Sequence, residues 1–402
     1  MSAPREYDHV IVGAGMVADA AARGIREIDP NATIAILGEE PDGPFPRPAL
    51  SKDLWTGDAD LAGTAYDTAA ATGAHLHLGD AVTALDTDAR TVTTSSGAVY
   101  RYGRLLLATG GRPRTLPGLE GERVVAFRTV TDYTRLRALV EEKPEVLVVG
   151  AGFIGTEIAC ALAQQDVPVT LVHPGTLLAD HFLVPTLAHR LETLFLDHGI
   201  RLRGGAQVTG GTSDDAGVHL ELDDGSTLDG SVVVIGLGVE PATELAVAAG
   251  LTTSDDGGVV VDSRLATSAE GVYAAGDIAQ YPDRILGTTR VEHEDNALQM
   301  GRTAGRILAG ADETYDHTPY FWSQWWDTWL EAIGSPDASS PTVEDDLGDD
   351  KTVVYHLDES GRAVTGILMW GTSDKDAARR VLATQPLAAG ADPSTLLGTI
   401  GG

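Results

Sequence analysis

The chain has 402 residues, 43% of them hydrophobic and 22% charged, and this length and composition predict two or three globular domains. Its 59 acidic and 28 basic residues give a formal charge of -31, which disfavours nucleic acid and anionic lipid as partners. No apolar stretch approaches the length of a membrane span, and the charged N-terminus does not resemble a signal peptide. We therefore expect a soluble, cytoplasmic protein.

The chain has one cysteine, Cys160. It cannot form an internal disulfide, a CxxC redox pair or a thiolate metal site, and we expect no metal. Any redox chemistry must therefore come from a cofactor.

The acidic surplus is spread over the whole chain, and only four of the 28 basic residues are lysines. Such a surface suits molar salt, where charges are screened over about 3 Å. A halophilic source is one hypothesis, and an acidic mesophile with an arginine-rich codon bias is the alternative.

The first elements predict a βαβ unit. An apolar strand from His9 to Val12 breaks at a glycine turn, a helical pattern continues to Ile25, and a second strand runs from Thr33 to Leu37. The same order returns 137 positions later, from Gly13 to Gly150, with strands at 145–149 and 167–172 and a helix at 154–163. The sequence thus predicts two Rossmann-like units.

Between these units we expect short strands near residues 75–78, 90–94 and 105–108 and no helix of any length. A turn-rich β region follows at 208–234, with a hairpin at Asp224-Gly225, then a strand at 271–274 and a helix at 296–308. The tail contains a tryptophan-dense segment, an acidic loop, strands at 352–356 and 363–370 and a helix at 374–383.

This pattern predicts an α/β protein with two Rossmann-like dinucleotide-binding domains and a C-terminal α+β domain. The first dinucleotide-binding domain is expected to be discontinuous, at residues 1–113 and 242–318. The second is expected at 114–241, and the C-terminal domain at 319–402.

Both glycine turns have the spacing of dinucleotide-binding turns, in which bare backbone lets a pyrophosphate reach a helix N-terminus. The first is GAGMVA at residues 13–18, and Glu39 lies 26 positions after Gly13 as a candidate ribose ligand. The second is GAGFIG at residues 150–155. A flavin beside a nicotinamide nucleotide is the common reason to need both sites.

Further segments carry a family resemblance. They are RPALSK (47–52), ATGGRPR (108–114), VYAAGD (272–277), RVEHEDNA (290–297), FWS (321–323) and EAIG (331–334). In this order, with the two glycine turns, they resemble the FAD-dependent pyridine nucleotide oxidoreductases of the ferredoxin reductase and apoptosis-inducing factor type. The resemblance implies that the domain at 1–113 and 242–318 binds FAD and that the domain at 114–241 binds NAD(P)H. RPALSK contains no cysteine where thiol-dependent branches of that superfamily carry one, which favours direct transfer from flavin to acceptor.

The resemblance implies that Lys52 and Glu157 form an ion pair beside the flavin N5, where the hydride arrives. It also implies that His293, with Glu292, lies against the flavin ring, and these three residues, Lys52, Glu157 and His293, are the expected catalytic set. A surface lysine, a helix-dipole glutamate and a helix-cap histidine are the alternatives from local sequence alone.

The remaining assignments concern cofactor binding. Asp277 is expected on the ribityl chain, Arg47 and Arg114 on diphosphate or ribityl oxygens, and Trp322 as a screen over the flavin. Phe153 either stacks on the isoalloxazine or packs in the core. The full expected set adds Gly13, Gly15, Ala18, Glu39, Val82, Ala108, Thr109, Gly110, Gly276, Gly150, Gly152, Ile154, Gly155, His173 and Gly238.

The second unit departs from the usual pattern after its second strand. An acidic residue that binds the adenosine ribose is expected there, and His173 stands in its place, with no arginine to mark a 2'-phosphate. NADH is expected from the resemblance and the negative charge, and NADPH stays open.

Two functions are considered. The first is an enzyme in which NAD(P)H reduces non-covalently bound FAD and electrons pass to a ferredoxin, a quinone or oxygen. The second is a redox-gated binding protein with slow turnover and a long-lived FADH2-NAD charge-transfer complex. The resemblance also allows a homodimer.

Overall fold

The computed structural model describes residues 4–57, 59–384 and 392–401. The chain divides into two compact units. The first unit comprises Met1–Pro48, Ala59–Arg112 and Glu240–Pro319, and the second comprises Ala49–Asp58, Pro113–Val239 and Tyr320–Gly402. The predicted assignment of domains to FAD, NAD and a separate C-terminal module stays a prediction.

The first unit is built on a mixed seven-stranded sheet. Its parallel part places His75–His77, Ile34–Leu37, Arg5–Val12 and Val99–Leu107 in that order, and Val272–Ala274 pairs with the end of the last of these. The strands Thr91–Thr94 and Val82–Asp86 continue the sheet in antiparallel fashion. A three-stranded sheet is formed by Val259–Val260, Ala279–Asp283 and Gly287–Thr289.

The two long helices of this unit, Met16–Ile28 and Glu294–Leu308, pack closely because glycines line their contact. A Cβ at Gly305 would overlap the backbone oxygen of Ala21, and one at Gly301 would lie 2.8 Å from the backbone oxygen of Val17. The contact thus fixes both helices on the sheet. The shorter helices are Leu61–Thr64, Thr68–Thr72 and Glu244–Ala248, with a 3-10 turn at Gly276–Ile278.

The second unit contains a fully parallel five-stranded sheet. Its strand order is Arg201–Arg203, Val169–Val172, Val146–Val149, Val232–Ile235 and Val124–Ala126. The valine-rich strand Val146–Val149 has all four of its residues buried, as expected for a central parallel strand. Its helices are Asp53–Thr56, Val130–Leu139, Phe153–Ala163 and Pro185–Asp197, and an antiparallel sheet is formed by Val208–Ser213, Val218–Leu222 and Thr227–Gly230.

The C-terminal part of the second unit is an antiparallel five-stranded sheet. Its order is Tyr320–Trp325, Thr328–Gly334, Val364–Trp370, Lys351–Leu357 and Thr342–Gly348. The helix Lys375–Ala383 follows the strand Val364–Trp370, and a 3-10 turn covers Pro393–Leu396. Short elements where the chain passes between the two units are Arg47–Ser51, Gly111–Pro113 and Val239–Pro241.

The predicted α/β class, with a glycine turn after a parallel strand in each unit, is confirmed. The expectation of no helix between the two βαβ units is wrong, because Val130–Leu139 is a ten-residue helix. Its start carries a capping box, in which the Thr129 hydroxyl and the Asp132 carboxylate satisfy each other's backbone amides.

The acidic segment before Lys351 is also not a loop. Thr342–Gly348 forms an edge strand paired with Lys351–Leu357. Acidic residues are poor strand formers, but charged side chains are tolerated on a sheet edge where they face water. Pairing with a buried neighbour overrides the local preference.

No helix in the described ranges is long and apolar enough to cross a membrane. Over the same residues, no group of three or more His, Cys, Asp or Glu side chains is arranged to hold a metal ion.

Candidate functional site

The first glycine turn follows the strand Arg5–Val12 at the carboxyl edge of the parallel sheet. Gly13 has a φ of +109°, and a Cβ on it would overlap the backbone oxygen of Ala108. Gly15 is the N-cap of the helix Met16–Ile28, where no side chain caps the helix and a Cβ would meet nothing within 4 Å. The turn is closed against the sheet and open on its other side, as a phosphate-binding turn requires.

Two further strands of the first unit end at this edge. Val99–Leu107 and Val272–Ala274 run parallel to the first strand and to each other. Gly276 has a φ of +77°, so a residue with a side chain would be strained there. Five predicted cofactor residues follow these two strands: Ala108, Thr109, Gly110, Gly276 and Asp277. The structure thus brings them to one edge with the first glycine turn, which is where open α/β sheets bind ligands.

Two predicted residues after the strand Ile34–Leu37 and its loop are engaged in ion pairs. Glu39 Oε2 lies 3.9 Å from Arg112 Nη2, whose other terminal nitrogen lies 3.3 Å from Glu244 Oε1. Arg47 Nη2 donates to Glu40 Oε1 at 2.6 Å. The roles of Glu39 and Arg47 as cofactor ligands stay predictions.

Arg290 links two predicted site residues. Its Nη1 donates to the backbone oxygen of Asp277 at 2.9 Å and to Glu292 Oε1 at 2.5 Å, while its Nε lies 3.2 Å from Asp256 Oδ2. The sequence showed Arg290 only as one letter of a motif. Its contacts make it a residue that positions Asp277 and Glu292.

His293 occupies the N-cap position of the helix Glu294–Leu308, but its side chain makes no capping hydrogen bond. Burial lowers the pKa of His293 to about 4, with the charges of Asp277 and Asp295 acting in the opposite direction. The imidazole is therefore neutral at physiological pH and offers one donor and one acceptor.

The second glycine turn follows the strand Val146–Val149. Gly150 has a φ of +103°, and a Cβ on it would lie 2.5 Å from the backbone oxygen of Gly236. A Cβ at Gly155 would overlap the backbone oxygen of Gly150. Gly152, the N-cap of the following helix, has open space around its Cα and no side-chain cap, so this turn also fits a phosphate.

The other predicted residues are placed as follows. Ile154 is 37% exposed in the first turn of the second-unit helix, and Gly238 has a φ of +80° with nothing within 4 Å of its Cβ position. The backbone N–H of Arg114 donates to Gly238 O at 3.0 Å. Ala18 is fully buried, and Val82 begins the edge strand Val82–Asp86.

His173 follows the strand Val169–Val172 and is 2% exposed. Its Nε2 has no hydrogen-bond partner within the described ranges. Burial lowers the pKa of His173, and the nearby charge of Asp180 only partly offsets this effect. The position that usually carries an acid therefore carries an uncharged imidazole.

The predicted ion pair of Lys52 and Glu157 forms inside the second unit. Lys52 Nζ lies 2.6 Å from Glu157 Oε2, and the two side chains are 11% and 3% exposed. Ser51 donates to the same oxygen at 2.6 Å, and Ser323 donates to Oε1 at 2.7 Å. The Trp322 ring lies below the ammonium, with 4.6 Å between Nζ and the ring centroid. We call these five residues, Ser51, Lys52, Glu157, Trp322 and Ser323, the inner cluster.

Phe153 packs in an aromatic group. Its ring centroid lies 4.9 Å from that of Phe182 and 5.2 Å from that of Phe321. These contacts match the core interpretation, and stacking on a flavin stays a prediction.

Cys160 and Trp325 are structural residues, as expected. Cys160 is 3% exposed, and burial raises the pKa of its thiol to about 12, so it is not a nucleophile. Trp325 is fully buried and stacks on Trp370 at 6.1 Å.

The residues present fit the two dinucleotides that the sequence predicts. Both turns combine a strained glycine packed on backbone with an open glycine at an uncapped helix start, which leaves room and amide donors for a pyrophosphate. We propose that the predicted cofactor residues of the first unit would hold FAD. The second glycine turn, with His173 and Gly238, would hold the nicotinamide dinucleotide.

Sequence reasoning missed Ser51, Ser323 and Arg290 as functional residues. Ser51 and Ser323 were visible as letters of RPALSK and FWS, so the motifs themselves were the available signal. The hydrogen bonds join residues 106 and 166 positions apart, and no local spacing predicts them.

Two turns that fit a pyrophosphate, together with a buried charge pair, are typical of one class, the flavoprotein oxidoreductases that use a nicotinamide dinucleotide. The family model for pyridine nucleotide-disulphide oxidoreductases matches residues 7–301. The chain belongs to this family and is an FAD-dependent NAD(P)H oxidoreductase.

Several proteins align with most or nearly all of the chain. The ferredoxin–NAD(+) reductase component of the anthranilate 1,2-dioxygenase system of Burkholderia cepacia is 35% identical over 392 residues, 93% of each chain. Apoptosis-inducing factor 1 of Drosophila melanogaster is 31% identical over 85% of this chain and 51% of its own length. The structure of a covalent putidaredoxin reductase–putidaredoxin complex matches with a TM-score of 0.86 and 28% identity, covering 96% of this chain and 94% of the other.

Proposed function

We propose that the chain is a reductase that takes electrons from NADH and passes them through FAD to a ferredoxin. The inner cluster is the observation that carries this proposal, because in it a buried charge pair is held by two hydroxyl donors and an aromatic ring. The names of the relatives support the ferredoxin as acceptor, since two of those compared are reductases of ferredoxin-type proteins.

FAD, when bound, supplies a ring that accepts two electrons from a reduced nicotinamide and releases them to the acceptor. The chain's own residues supply a fixed positive charge, Lys52, where negative charge develops during that transfer. Glu157 holds the ammonium in place, and Trp322 keeps water from its exposed side. Because the Lys52 ammonium is already held in this position, the protein does not have to reorganise when negative charge develops.

NADH is the preferred donor in this proposal. A 2'-phosphate needs a cation beside the adenosine ribose. His173 stands at that position with a pKa lowered by burial, so it carries no charge at neutral pH. The formal charge of -31 also acts against the more negative NADPH.

Direct transfer from flavin to acceptor is favoured over thiol chemistry. The one cysteine, Cys160, is buried with a pKa raised to about 12. RPALSK, which contributes Ser51 and Lys52 to the inner cluster, contains no thiol.

A steady-state panel of acceptors tests the proposal. Purified protein with bound FAD is given NADH or NADPH together with a ferredoxin, a quinone or oxygen alone. We expect the highest kcat/KM with NADH and the ferredoxin. Slow turnover with every acceptor would favour the redox-gated binding protein, and a higher kcat/KM for NADPH than for NADH would overturn the donor assignment.

A further inference from the structure

One strand of the C-terminal sheet contacts both members of the buried ion pair. On Tyr320–Trp325, Trp322 places its ring 4.6 Å from Lys52 Nζ, and the next residue, Ser323, donates to Glu157 Oε1 at 2.7 Å. Adjacent side chains leave a strand on opposite faces. Because this strand is the edge of its sheet, both side chains can reach one pair that lies along the edge.

The Glu157 carboxylate depends on these contacts because it is 3% exposed and water cannot solvate it. Oε2 receives Lys52 Nζ and the Ser51 hydroxyl, both at 2.6 Å. Among the described residues, the Ser323 hydroxyl is the group that donates a hydrogen bond to Glu157 Oε1. Losing that hydroxyl would leave a buried acceptor unsatisfied, and the carboxylate would rotate or shift to recover a partner.

We propose that Ser323, assisted by Ser51, is a positioning residue for the reaction: it fixes the Glu157 carboxylate and through it the Lys52 ammonium. The edge strand Tyr320–Trp325 of the C-terminal sheet then contributes to electron transfer by positioning the ion pair, in addition to burying it. The expected effect on the rate rests on the proposed function. The position of the Lys52 ammonium can be tested without any turnover.

The same strand provides a matched comparison in a second set of residues. Lys375 Nζ lies 4.1 Å from the Tyr320 ring centroid and 3.0 Å from Glu331 Oε1, and Ser373 donates to Glu331 Oε2 at 2.6 Å. These four residues, Tyr320, Glu331, Ser373 and Lys375, are the outer cluster. Like the inner cluster, it has a lysine over an aromatic ring and a glutamate that accepts from serine, but it has one serine donor instead of two and lies nearer the surface.

Lysine NMR can report both clusters at once, because the chain has only four lysines. In protein labelled with 13C at lysine Cε, we expect two signals displaced by ring currents, from Lys52 over Trp322 and Lys375 over Tyr320. Lys143 and Lys351 are exposed and serve as unshifted references. Ser323→Ala should move the Lys52 signal toward the reference position and leave Lys375 in place. Ser373→Ala should do the reverse.

Stopped-flow reduction of the flavin by NADH is measured on the same samples, each holding FAD at the wild-type ratio. Ser323→Ala should slow reduction about fivefold, Ser373→Ala should not change it, and Ser323→Thr, which keeps the hydroxyl, should restore rate and signal. Ser51→Ala provides a second variant at the other carboxylate oxygen, with the same direction of effect.

An unchanged Lys52 signal in Ser323→Ala would overturn the inference. So would a moved signal with an unchanged rate, or a Ser323→Thr protein that behaves like Ser323→Ala. A wild-type flavin that NADH does not reduce would instead refute the proposed function and leave the lysine spectra as a separate test of the geometry.

Discussion

The inner and outer clusters contain the same kinds of group in different surroundings. In the inner cluster the lysine and glutamate are 11% and 3% exposed, and in the outer cluster they are 34% and 13% exposed. The inner carboxylate accepts two hydroxyl donors as well as the ammonium, whereas Ser373 is the hydroxyl donor on Glu331.

The comparison shows that composition does not determine what a lysine and glutamate pair does. An exposed pair gains little, because water screens the charges and the long side chains lose entropy. A buried pair holds a charge at a fixed place, and its members cannot be removed singly without leaving an uncompensated charge. We therefore expect the inner cluster to control chemistry and the outer one to contribute modestly to the sheet.

The largest expected difference is in flavin reduction. Lys52→Ala should slow reduction by NADH on the order of 10- to 100-fold, since each tenfold step corresponds to about 1.36 kcal/mol of lost transition-state stabilisation. Glu157→Ala should act in the same direction, with a less than additive double variant because the two residues act as a unit.

Lys375→Ala is the control for that experiment and should reduce its flavin at the wild-type rate. Stopped flow at saturating NADH is the measurement. A Lys52→Ala protein that holds FAD and reacts at the wild-type rate would show that the inner lysine has no role in the chemistry.

A second difference is expected in stability. Glu157→Gln leaves the Lys52 ammonium buried without its carboxylate and should lower the free energy of unfolding by about 3 kcal/mol. Glu331→Gln should lower it by about 0.5 kcal/mol. Urea unfolding at one fixed excess of FAD measures both, since bound ligand adds to apparent stability. Equal losses would break the distinction that burial makes between the clusters.

A third difference is expected in the first unit, where the burial of His293 should make the stability of the protein depend on pH. Burial lowers the pKa of His293 from 6.5 to about 4. Between these values the unfolded chain binds a proton at His293 that the folded protein does not. The contribution of His293 to the free energy of unfolding should therefore fall as pH drops from 6.5 to 4 and be constant above 6.5.

The share from this group should be at most about 3 kcal/mol, because a pKa difference of one corresponds to about 1.36 kcal/mol, and His293→Gln should remove it. Urea unfolding across this pH range is the measurement. His173 and other buried histidines also have lowered pKa values, so part of the slope should remain in His293→Gln. An undiminished slope in that variant would assign the whole effect to those other groups.

The smallest expected effect is the response to salt. A double-mutant cycle on Lys375 and Glu331 should give a coupling of about 0.5 kcal/mol in about 0.1 M salt and nearly none in about 1 M salt. The same cycle on Lys52 and Glu157 should change little, because buried charges are poorly screened. Parallel loss of both couplings would contradict the buried character of the inner pair.

Much of this arrangement was predictable from sequence because its signals are local. Each glycine turn lies between an apolar run and a helical pattern, and only glycine suits Gly13 and Gly150 at their positive φ angles. Lys52 stood out as one of four lysines among 28 basic residues, and the motifs paired it with Glu157.

The rest depended on contacts between distant residues. Ser51 and Ser323 meet at Glu157 only because the parallel sheet and the C-terminal sheet fold within one unit. The edge strand Thr342–Gly348 exists through pairing with its neighbour, against the local preference of its acidic residues. The helix Val130–Leu139 has a clear capping box but a weak apolar pattern, so its start signal alone was not enough to predict it.

Sequential mixing without oxygen tests the central claim most directly. The protein with bound FAD is first mixed with one equivalent of NADH and then with oxidised ferredoxin, while the visible absorbance of the flavin is followed. We expect rapid bleaching in the first step, slower bleaching with NADPH, and return of the flavin colour as the ferredoxin is reduced. A protein that binds no FAD, or whose flavin bleaches with NADH but returns no electrons to ferredoxin, would contradict it.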